Sequence, residues 1–129
     1  MRHEASFSCG EGRYAVFVTA VVTADGISAT FCGGDKPHVG GMAMSIPRVS
    51  KQGNKPSCDT WIVPVPGHKD QEVAAQAAQL ICLQTGMTAA VVAGIHIDQA
   101  TPEEIALIVK NCQEAAGLLS LEVTRGRFS

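Results

Sequence analysis

The sequence predicts a two-layer α+β fold, with a mainly antiparallel sheet of about six or seven strands and two main helices on one face. Three observations support this prediction. The first half of the chain is a series of short β-prone runs separated by glycine-rich or polar turns. The second half carries two segments with helical spacing of apolar residues, separated by an apolar run. The length of 129 residues suits one domain, which we assign to residues 1–129.

The first half is predicted to form an antiparallel meander. Residues 5–9 alternate in polarity, and residues 13–23 are rich in the Tyr, Phe, Val and Thr that favour strands. Asp25-Gly26 is a strong hairpin signal, so residues 27–32 should return as the partner strand, and residues 42–47 should form the next. We expect the run 13–23 to be partly buried on both faces. The second sheet face then needs a cover, for which a second subunit is the simplest choice.

The middle of the chain is expected to be a loop and an edge strand. Residues 48–59 are polar and rich in Gly, Pro and Ser, which is typical of a loop. Residues 60–65 should form a short strand. Its prolines, Pro64 and Pro66, cannot donate to a ladder and therefore indicate an edge or a strand end.

Two helices are predicted in the second half. The first starts with Asp70 as N-cap and ends at Thr85-Gly86. The apolar residues 88–97 should form a central strand. Thr101-Pro102-Glu103-Glu104 is a strong start signal for the second helix, which Gly117 should end. Residues 118–124 are then expected to form a last strand.

Composition excludes several classes of protein. The net charge is −2 without a basic run, so we expect no nucleic-acid partner. The apolar residues 15–24 are too few to span a bilayer, so we expect no membrane association. Five cysteines at wide spacings without a C-x-x-C favour neither a disulfide framework nor a zinc ribbon. We therefore expect a cytoplasmic protein in a reducing compartment.

The most unusual stretch is residues 32–41, Cys-Gly-Gly-Asp-Lys-Pro-His-Val-Gly-Gly. Four of its ten residues are glycine, and it lies between two β-prone runs. It is longer and richer in glycine than a hairpin turn requires, which predicts close approach of another molecule to its backbone. It lacks the spacing of a phosphate-binding P-loop, and it joins two strands instead of opening a helix as a dinucleotide fingerprint does.

His38 is the first candidate functional residue in this loop. It can bind phosphate or exchange a proton near neutral pH, or it can simply bond to nearby backbone. Asp35 and Lys36 are candidates for orienting the polar groups of a ligand. They can equally be the solvated tip of a turn, which is the favoured reading for Lys36 alone.

His68 and Lys69 precede the first predicted helix and would add donors to an anion site at its N-terminus. An ordinary capped helix is an equally good reading. His96, at the end of an apolar strand, is predicted to be structural. Met42 and Met44 should lie on one sheet face, where they can also form an apolar wall for a flat ring.

Metal binding and cysteine chemistry receive weaker support. His38, His68 and His96 could supply metal ligands with nearby aspartates, but no two have the i, i+2 or i, i+4 spacing, so we predict no metal site. Of the five cysteines, Cys32 and Cys58 are the two whose reactivity merits a test.

The run from Gly33 to Gly40, Gly-Gly-Asp-Lys-Pro-His-Val-Gly, followed by the small and apolar strand Gly41 to Pro47, resembles the LpdD family. These are small proteins encoded with UbiD-type phenolic-acid decarboxylases. The likeness covers most of the chain, including the hairpin, the Pro-Gly-His before the first helix and two late helices. It implies a fold similar to the proteasome-assembly-chaperone-like α+β proteins, which are usually dimeric.

The resemblance also implies a function. The protein would be a non-catalytic, chaperone-like carrier of reduced prenylated FMN, or of FMN, with a UbiD-type decarboxylase and the flavin prenyltransferase as partners. It places ligand contacts on the loop from Gly33 to Gly41. With the residues before the first helix, the expected cofactor-binding set is Gly33, Gly34, Asp35, Lys36, His38, Gly40, Gly41, His68 and Lys69.

Two alternatives remain open. The protein can be an assembly chaperone that holds a partner protein and no small molecule. It can also be a small enzyme that uses His38 as an acid or base, although no second catalytic group is evident.

Overall fold

The computed structural model describes residues 2–67 and 69–126, so the His68 prediction lies outside the described residues. The described residues form six strands, one short 3-10 turn and two helices. Their order is β1 (Arg2–Cys9), the 3-10 turn (Gly12–Tyr14), β2 (Val16–Thr23), β3 (Gly26–Gly34), β4 (Gly41–Val49), β5 (Pro56–Pro64), α1 (Asp70–Thr85), β6 (Ala89–His96) and α2 (Pro102–Thr124). The predicted α+β class is confirmed.

All six strands lie in one sheet in the order β1-β2-β3-β6-β4-β5. Neighbouring strands are antiparallel except β3 and β6, which are parallel. The Asp25-Gly26 hairpin is confirmed, because Thr23 pairs with Gly26. β6 enters between β3 and β4, so these two strands are consecutive in the chain but are not neighbours in the sheet.

Both helices pack on the same face of the sheet, which we call the inner face. Alternate residues of β2 to β4 and β6 point into the core there, among them Val18, Phe31, Ala43 and Val91. Alanines are frequent in this core, and their small side chains let the helix backbones approach the strands closely.

No described helix or strand covers the opposite face of the sheet, which we call the outer face. β2 alternates buried and exposed residues, so our expectation of burial on both faces is wrong for the single chain. Phe17 is 54% exposed and Trp61 57% exposed on this face. Arg13 and Tyr14, assigned to the strand from sequence, both belong to the 3-10 turn that precedes β2.

Half of the segment 48–59 is strand, which corrects its prediction as a loop. β4 and β5 pair from Gly41↔Pro64 to Val49↔Pro56, leaving only residues 50–55 to connect them. The Ser50 N–H donates to the Lys55 carbonyl at 2.8 Å and closes this connection. The composition misled because the first part of β5, Pro56 to Asp59, carries a proline, a serine and an aspartate, which an edge strand tolerates.

The predicted strand 118–124 is wrong, because α2 continues through it to Thr124. Gly117 does not end the helix, and a Cβ added at Gly117 would meet nothing within 4 Å. The buried helical stripe of Ala115 and Ala116 continues with Leu119 and Ser120. The β-prone composition was overridden by packing of this stripe against β1 and β2.

The predicted start of α2 is confirmed, whereas the predicted N-cap of α1 is wrong by one residue. α2 begins as expected, with Thr101 and Glu104 forming a complete capping box. α1 spans the predicted residues, but its N-cap is Lys69, and Asp70 is the first helical residue. The Asp70 side chain does not cap the helix, because its two oxygens contact His38 Nε2 and the Ile95 N–H. Among residues 2–67 and 69–126, no helix is long and apolar enough to cross a membrane.

Candidate functional site

The glycine loop between β3 and β4 passes around the carboxyl end of β6. The Asp35 N–H donates to the His96 carbonyl at 2.7 Å, and the Gly40 N–H donates to the Ala93 carbonyl at 2.8 Å. A connection between β3 and β4 must make this detour because β6 lies between them. The topology therefore explains why the loop is longer than a hairpin turn.

Close packing explains much of the glycine content. A Cβ at Gly94 would overlap the His38 carbonyl, and a Cβ at Gly40 would overlap the Asp70 carboxylate. A Cβ at Gly41 would lie 2.5 Å from the Gln71 nitrogen, in the first turn of α1. Gly34 has a φ of 78°, which favours glycine. These glycines let the loop, β6 and α1 meet at one point.

His38 and Asp70 meet at that point. His38 Nε2 lies 3.0 Å from Asp70 Oδ2, and the Ile95 N–H donates to Asp70 Oδ1 at 3.0 Å. His38 Nδ1 lies 2.8 Å from the Lys36 carbonyl oxygen, which can only accept a hydrogen bond. Asp70 is buried. One carboxylate thus joins the loop, the end of β6 and the start of α1.

A second histidine–aspartate pair lies beside the first. His96 Nε2 is 2.9 Å from Asp98 Oδ1, and the His38 and His96 rings are 6.2 Å apart in an edge-to-face arrangement. The hydrogen bond from His96, with the nearby Lys36 ammonium, lowers the pKa of the exposed Asp98 carboxyl group below its ordinary value. This pair is more exposed than the His38–Asp70 pair.

Asp35 closes the loop from the other side. Its Oδ2 accepts from Arg13 at 2.9 Å and from the Asp98 N–H at 3.0 Å. Arg13 also donates to the Asp98 carbonyl at 3.2 Å. These bonds fix the ends of the loop and of β6 relative to each other. They occupy the Asp35 carboxylate with groups of the protein itself.

A cavity of about 310 Å³ opens next to the His38–Asp70 pair, between the first turns of α1 and α2. Its size falls at the lower end of the range for small-molecule sites. Its polar end carries His38, Lys69, Asp70, Glu72 and His96. Its walls are mainly apolar, with Val73, Ile95, Ile97, Ala100, Ile105, Ile108 and Val109.

The structure separates the predicted site residues into two groups. His38 and Lys69 line the cavity. Gly33, Gly34, Asp35, Lys36, Gly40 and Gly41 are not among its described lining residues, and they support or surround the loop. Ligand contact by these six stays a prediction.

Met42 and Met44 lie on the outer face, whereas the cavity lies on the inner face with the helices. In β4 the alternate residues Gly41, Ala43 and Ser45 point inward, so the methionines must point outward. The methionine strand and His38 therefore do not form one site.

Sequence reasoning missed most of the cavity. It treated Asp70 as a cap and His96 as structural or as a weak metal-ligand candidate, and it assigned no site role to Ile105 and Val109. β5 and β6 run in the same direction, and each is followed by a helix. The carboxyl ends of such strands and the starts of the helices after them lie at the same edge of a sheet. This rule could have predicted that the starts of α1 and α2 lie close together.

The six-stranded α+β fold of this chain has a counterpart among solved structures. It is similar to a chain in the crystal structure of a novel chaperone complex for yeast 20S proteasome assembly, with a TM-score of 0.64 and 17% sequence identity. The likeness covers 94% of this chain and 97% of that one. At this identity it shows the fold alone.

The sequence gives the family. Residues 10–123 match the prenylated flavin chaperone LpdD-like domain, and the chain belongs to that family. The expected resemblance is thereby confirmed. No curated protein matches the sequence.

The cavity's chemistry fits a flavin. Its β-branched walls can hold a flat ring, and Lys69 at the start of α1 can pair with a phosphate. The Asp70 carboxylate would oppose an anion, but His38 and the Ile95 N–H occupy both of its oxygens. Glu72 is the remaining acidic group at the polar end.

Proposed function

We propose that this protein is a non-catalytic carrier of reduced prenylated FMN, or of FMN, that delivers or protects the cofactor for a UbiD-type decarboxylase of aromatic acids. The observation that carries the proposal is the apolar cavity between the starts of α1 and α2, with His38 and Lys69 at its polar end. The family match, to a prenylated flavin chaperone-like domain, supports the same ligand class.

In this proposal the cavity walls hold the ring. Val73 from α1, Ile95 from β6 and Ile105 from α2 reach the cavity from three elements, so a flat ligand would be enclosed on several sides. Burial of an oxygen-sensitive reduced ring among apolar side chains would limit its contact with solvent.

The polar end is proposed to hold the phosphate. Lys69 supplies a cation, and the backbone amides of the first turn of α1 supply donors aligned with the helix dipole. Within the glycine loop we propose His38 as the direct ligand contact. The loop glycines act by letting His38 reach this position.

The arrangement favours positioning over acid–base catalysis. Both ring nitrogens of His38 already lie within hydrogen-bond distance of protein oxygens. A catalytic acid or base needs a nitrogen that reaches the substrate. We therefore propose that His38 holds the loop through its ring nitrogens and contacts the ligand through the ring itself, and that the decarboxylase supplies the chemistry.

A second copy of this chain is the proposed cover of the outer face. Phe17, Met42, Met44, Trp61 and Val63 are all at least 38% exposed there. An apolar sheet face of this kind is typical of an interface. Light scattering should show a dimer that Trp61→Glu converts to a monomer. Leu83→Glu, at an exposed leucine of the helix layer, should leave the dimer intact.

The proposed carrier acts in the cytoplasm, with the decarboxylase and the flavin prenyltransferase as protein partners. All five cysteines are free, which suits a reducing compartment.

Anaerobic titration with reduced prenylated FMN and with reduced FMN tests the proposal. Wild type should bind saturably, and Ile105→Glu should weaken binding by about tenfold or more, because a charge enters the apolar wall. Leu107→Glu, at an exposed position of the same helix outside the described cavity lining, should bind like wild type. Absence of saturable binding by wild type would refute the proposal.

A reconstitution assay tests delivery separately. Apo-decarboxylase should gain activity faster or to a higher yield with the loaded carrier than with free cofactor. If the Ile105→Glu variant raises the yield of active decarboxylase as much as the wild-type protein does, the assembly-chaperone alternative replaces the carrier proposal. Turnover of an aromatic acid by this protein alone, abolished by His38→Ala, would instead establish the enzyme alternative.

A further inference from the structure

Within the described part of the chain, β1 is an edge strand. Its pairing there is with β2 alone, along all eight residues from Arg2 to Cys9. Alternate backbone N–H and C=O groups on its other side therefore face no strand of the described residues. The opposite edge strand, β5, begins and ends with proline, a common protection against strand addition. β1 contains no proline.

A groove runs along this open edge. It has a volume of about 440 Å³ and is lined by five consecutive residues of β1, Glu4 to Ser8, together with Leu118 and Glu122 of α2. Leu118 is 46% exposed at the side of the groove. The groove is thus bounded by strand backbone along its length and by a leucine on the helix side.

The two sides of the groove differ in chemistry. Ala5 and Phe7 face the helix layer with Leu118, whereas Glu4, Ser6 and Ser8 face outward and are exposed. A strand added to β1 would place alternate side chains on these two sides. Its inward residues would meet Ala5, Phe7 and Leu118 together with the Glu122 side chain, and an outward residue would meet the Glu4 carboxylate.

We propose that the free edge of β1 is a docking site for an extended segment of a partner protein. The segment alternates apolar and polar residues, and it carries a lysine or arginine opposite Glu4. It adds as a seventh strand, so main-chain hydrogen bonds supply affinity and Leu118 with Phe7 selects apolar side chains. The site is separate from the cavity at the helix starts, and it does not depend on the proposed flavin ligand.

A synthetic eight-residue peptide that alternates valine with lysine and threonine tests the proposal. The full-length protein is titrated with this peptide by calorimetry, and hydrogen exchange of the β1 amides is measured with and without it. Two control peptides carry N-methyl groups on one or the other set of alternate residues. Only the set whose N–H groups face β1 should abolish binding when methylated.

Protein variants locate the contact. Leu118→Glu should weaken peptide binding by about tenfold or more, because the mutation replaces the apolar contact with a charge. Leu107→Glu, exposed on the same helix but not on the described groove, serves as the matched control and should bind normally. Glu4→Lys should reverse the preference, so that a glutamate-containing peptide binds better than the lysine peptide.

Protection of the β1 amides together with loss of binding in Leu118→Glu supports the proposal. No saturable binding, or equal binding of both N-methylated peptides, overturns it. Concentration-dependent protection of β1 without any peptide would assign the edge to a second copy of this chain and would likewise overturn it.

Discussion

His38 Nε2 lies 3.0 Å from Asp70 Oδ2, and this contact joins the β3–β4 loop to the first turn of α1. The other oxygen of Asp70 accepts the Ile95 N–H, so the same carboxylate also holds the end of β6. Three elements that are far apart in sequence meet at one buried side chain. The cavity at the helix starts opens beside this contact.

Replacement of Asp70 should destabilise the protein. Asp70→Ala leaves the Ile95 N–H without its acceptor and His38 Nε2 without this partner, and we expect the free energy of unfolding to fall by about 1–3 kcal/mol. Urea denaturation followed by circular dichroism measures the loss. Glu72→Gln is the matched control, since Glu72 is an exposed acidic residue of the same helical turn. Equal stability of both variants would contradict the proposed role of Asp70.

Gly94 should tolerate no side chain. In Gly94→Ala the new methyl group would overlap the His38 carbonyl. We therefore expect the free energy of unfolding to fall by about 3 kcal/mol or more, or the variant to fail to fold. Gly117→Ala is the control within α2, where a Cβ meets nothing and helix propensity should add about 0.5–1 kcal/mol. Thermal denaturation of the two variants should shift the melting temperature in opposite directions. A neutral Gly94→Ala would show that the loop does not need this close approach.

The start of α2 should be sensitive to acid. The backbone hydrogen bond with Thr101, with the Tyr14 hydroxyl, lowers the pKa of Glu104 below its ordinary value of 4.5. A lowered pKa in the folded state contributes stability above the ordinary value, and this stability is lost as pH falls through the folded pKa. Denaturation at several pH values below neutrality measures the slope.

Glu104→Gln should therefore flatten the dependence of stability on pH in the acid range. Glu103→Gln, in the same turn and exposed, is the control and should keep the wild-type slope. An unchanged slope in Glu104→Gln would exclude Glu104 as its source.

Two of the five cysteines should react with a thiol reagent in the native protein. Cys32 and Cys58 are half-buried, whereas Cys9, Cys82 and Cys112 are buried. Burial raises the pKa of the Cys112 thiol to about 12 and raises the pKa values of Cys9 and Cys82. Peptide mass spectrometry after brief labelling should find modified Cys32 and Cys58. Rapid native labelling of Cys112 would contradict this packing.

Local signals predicted much of the fold. The Asp25-Gly26 signal correctly predicted the hairpin between β2 and β3, and the capping signal at Thr101 correctly predicted the start of α2, because both features depend on residues close in sequence. The strand predicted at 118–124 failed because tertiary burial of Leu119 and Ser120 extends α2. The glycine loop was correctly placed between two strands. Its length has a topological cause, the insertion of β6, which no local pattern reports.

The site was predictable only in part. His38 and Lys69 carried recognisable signals and line the cavity. The apolar walls could not be assigned from sequence, since Val73, Ile95 and Ile105 look like ordinary core positions of their own elements. Their meeting depends on how the ends of β6, α1 and α2 pack together.

The most direct test of the central claim is a structure of the anaerobic complex with reduced prenylated FMN. We expect the ring to lie between α1 and α2 against Val73 and Ile105, with its phosphate next to Lys69 and with His38 in contact. A ring bound instead on the outer face against Met42 and Met44 would contradict this account.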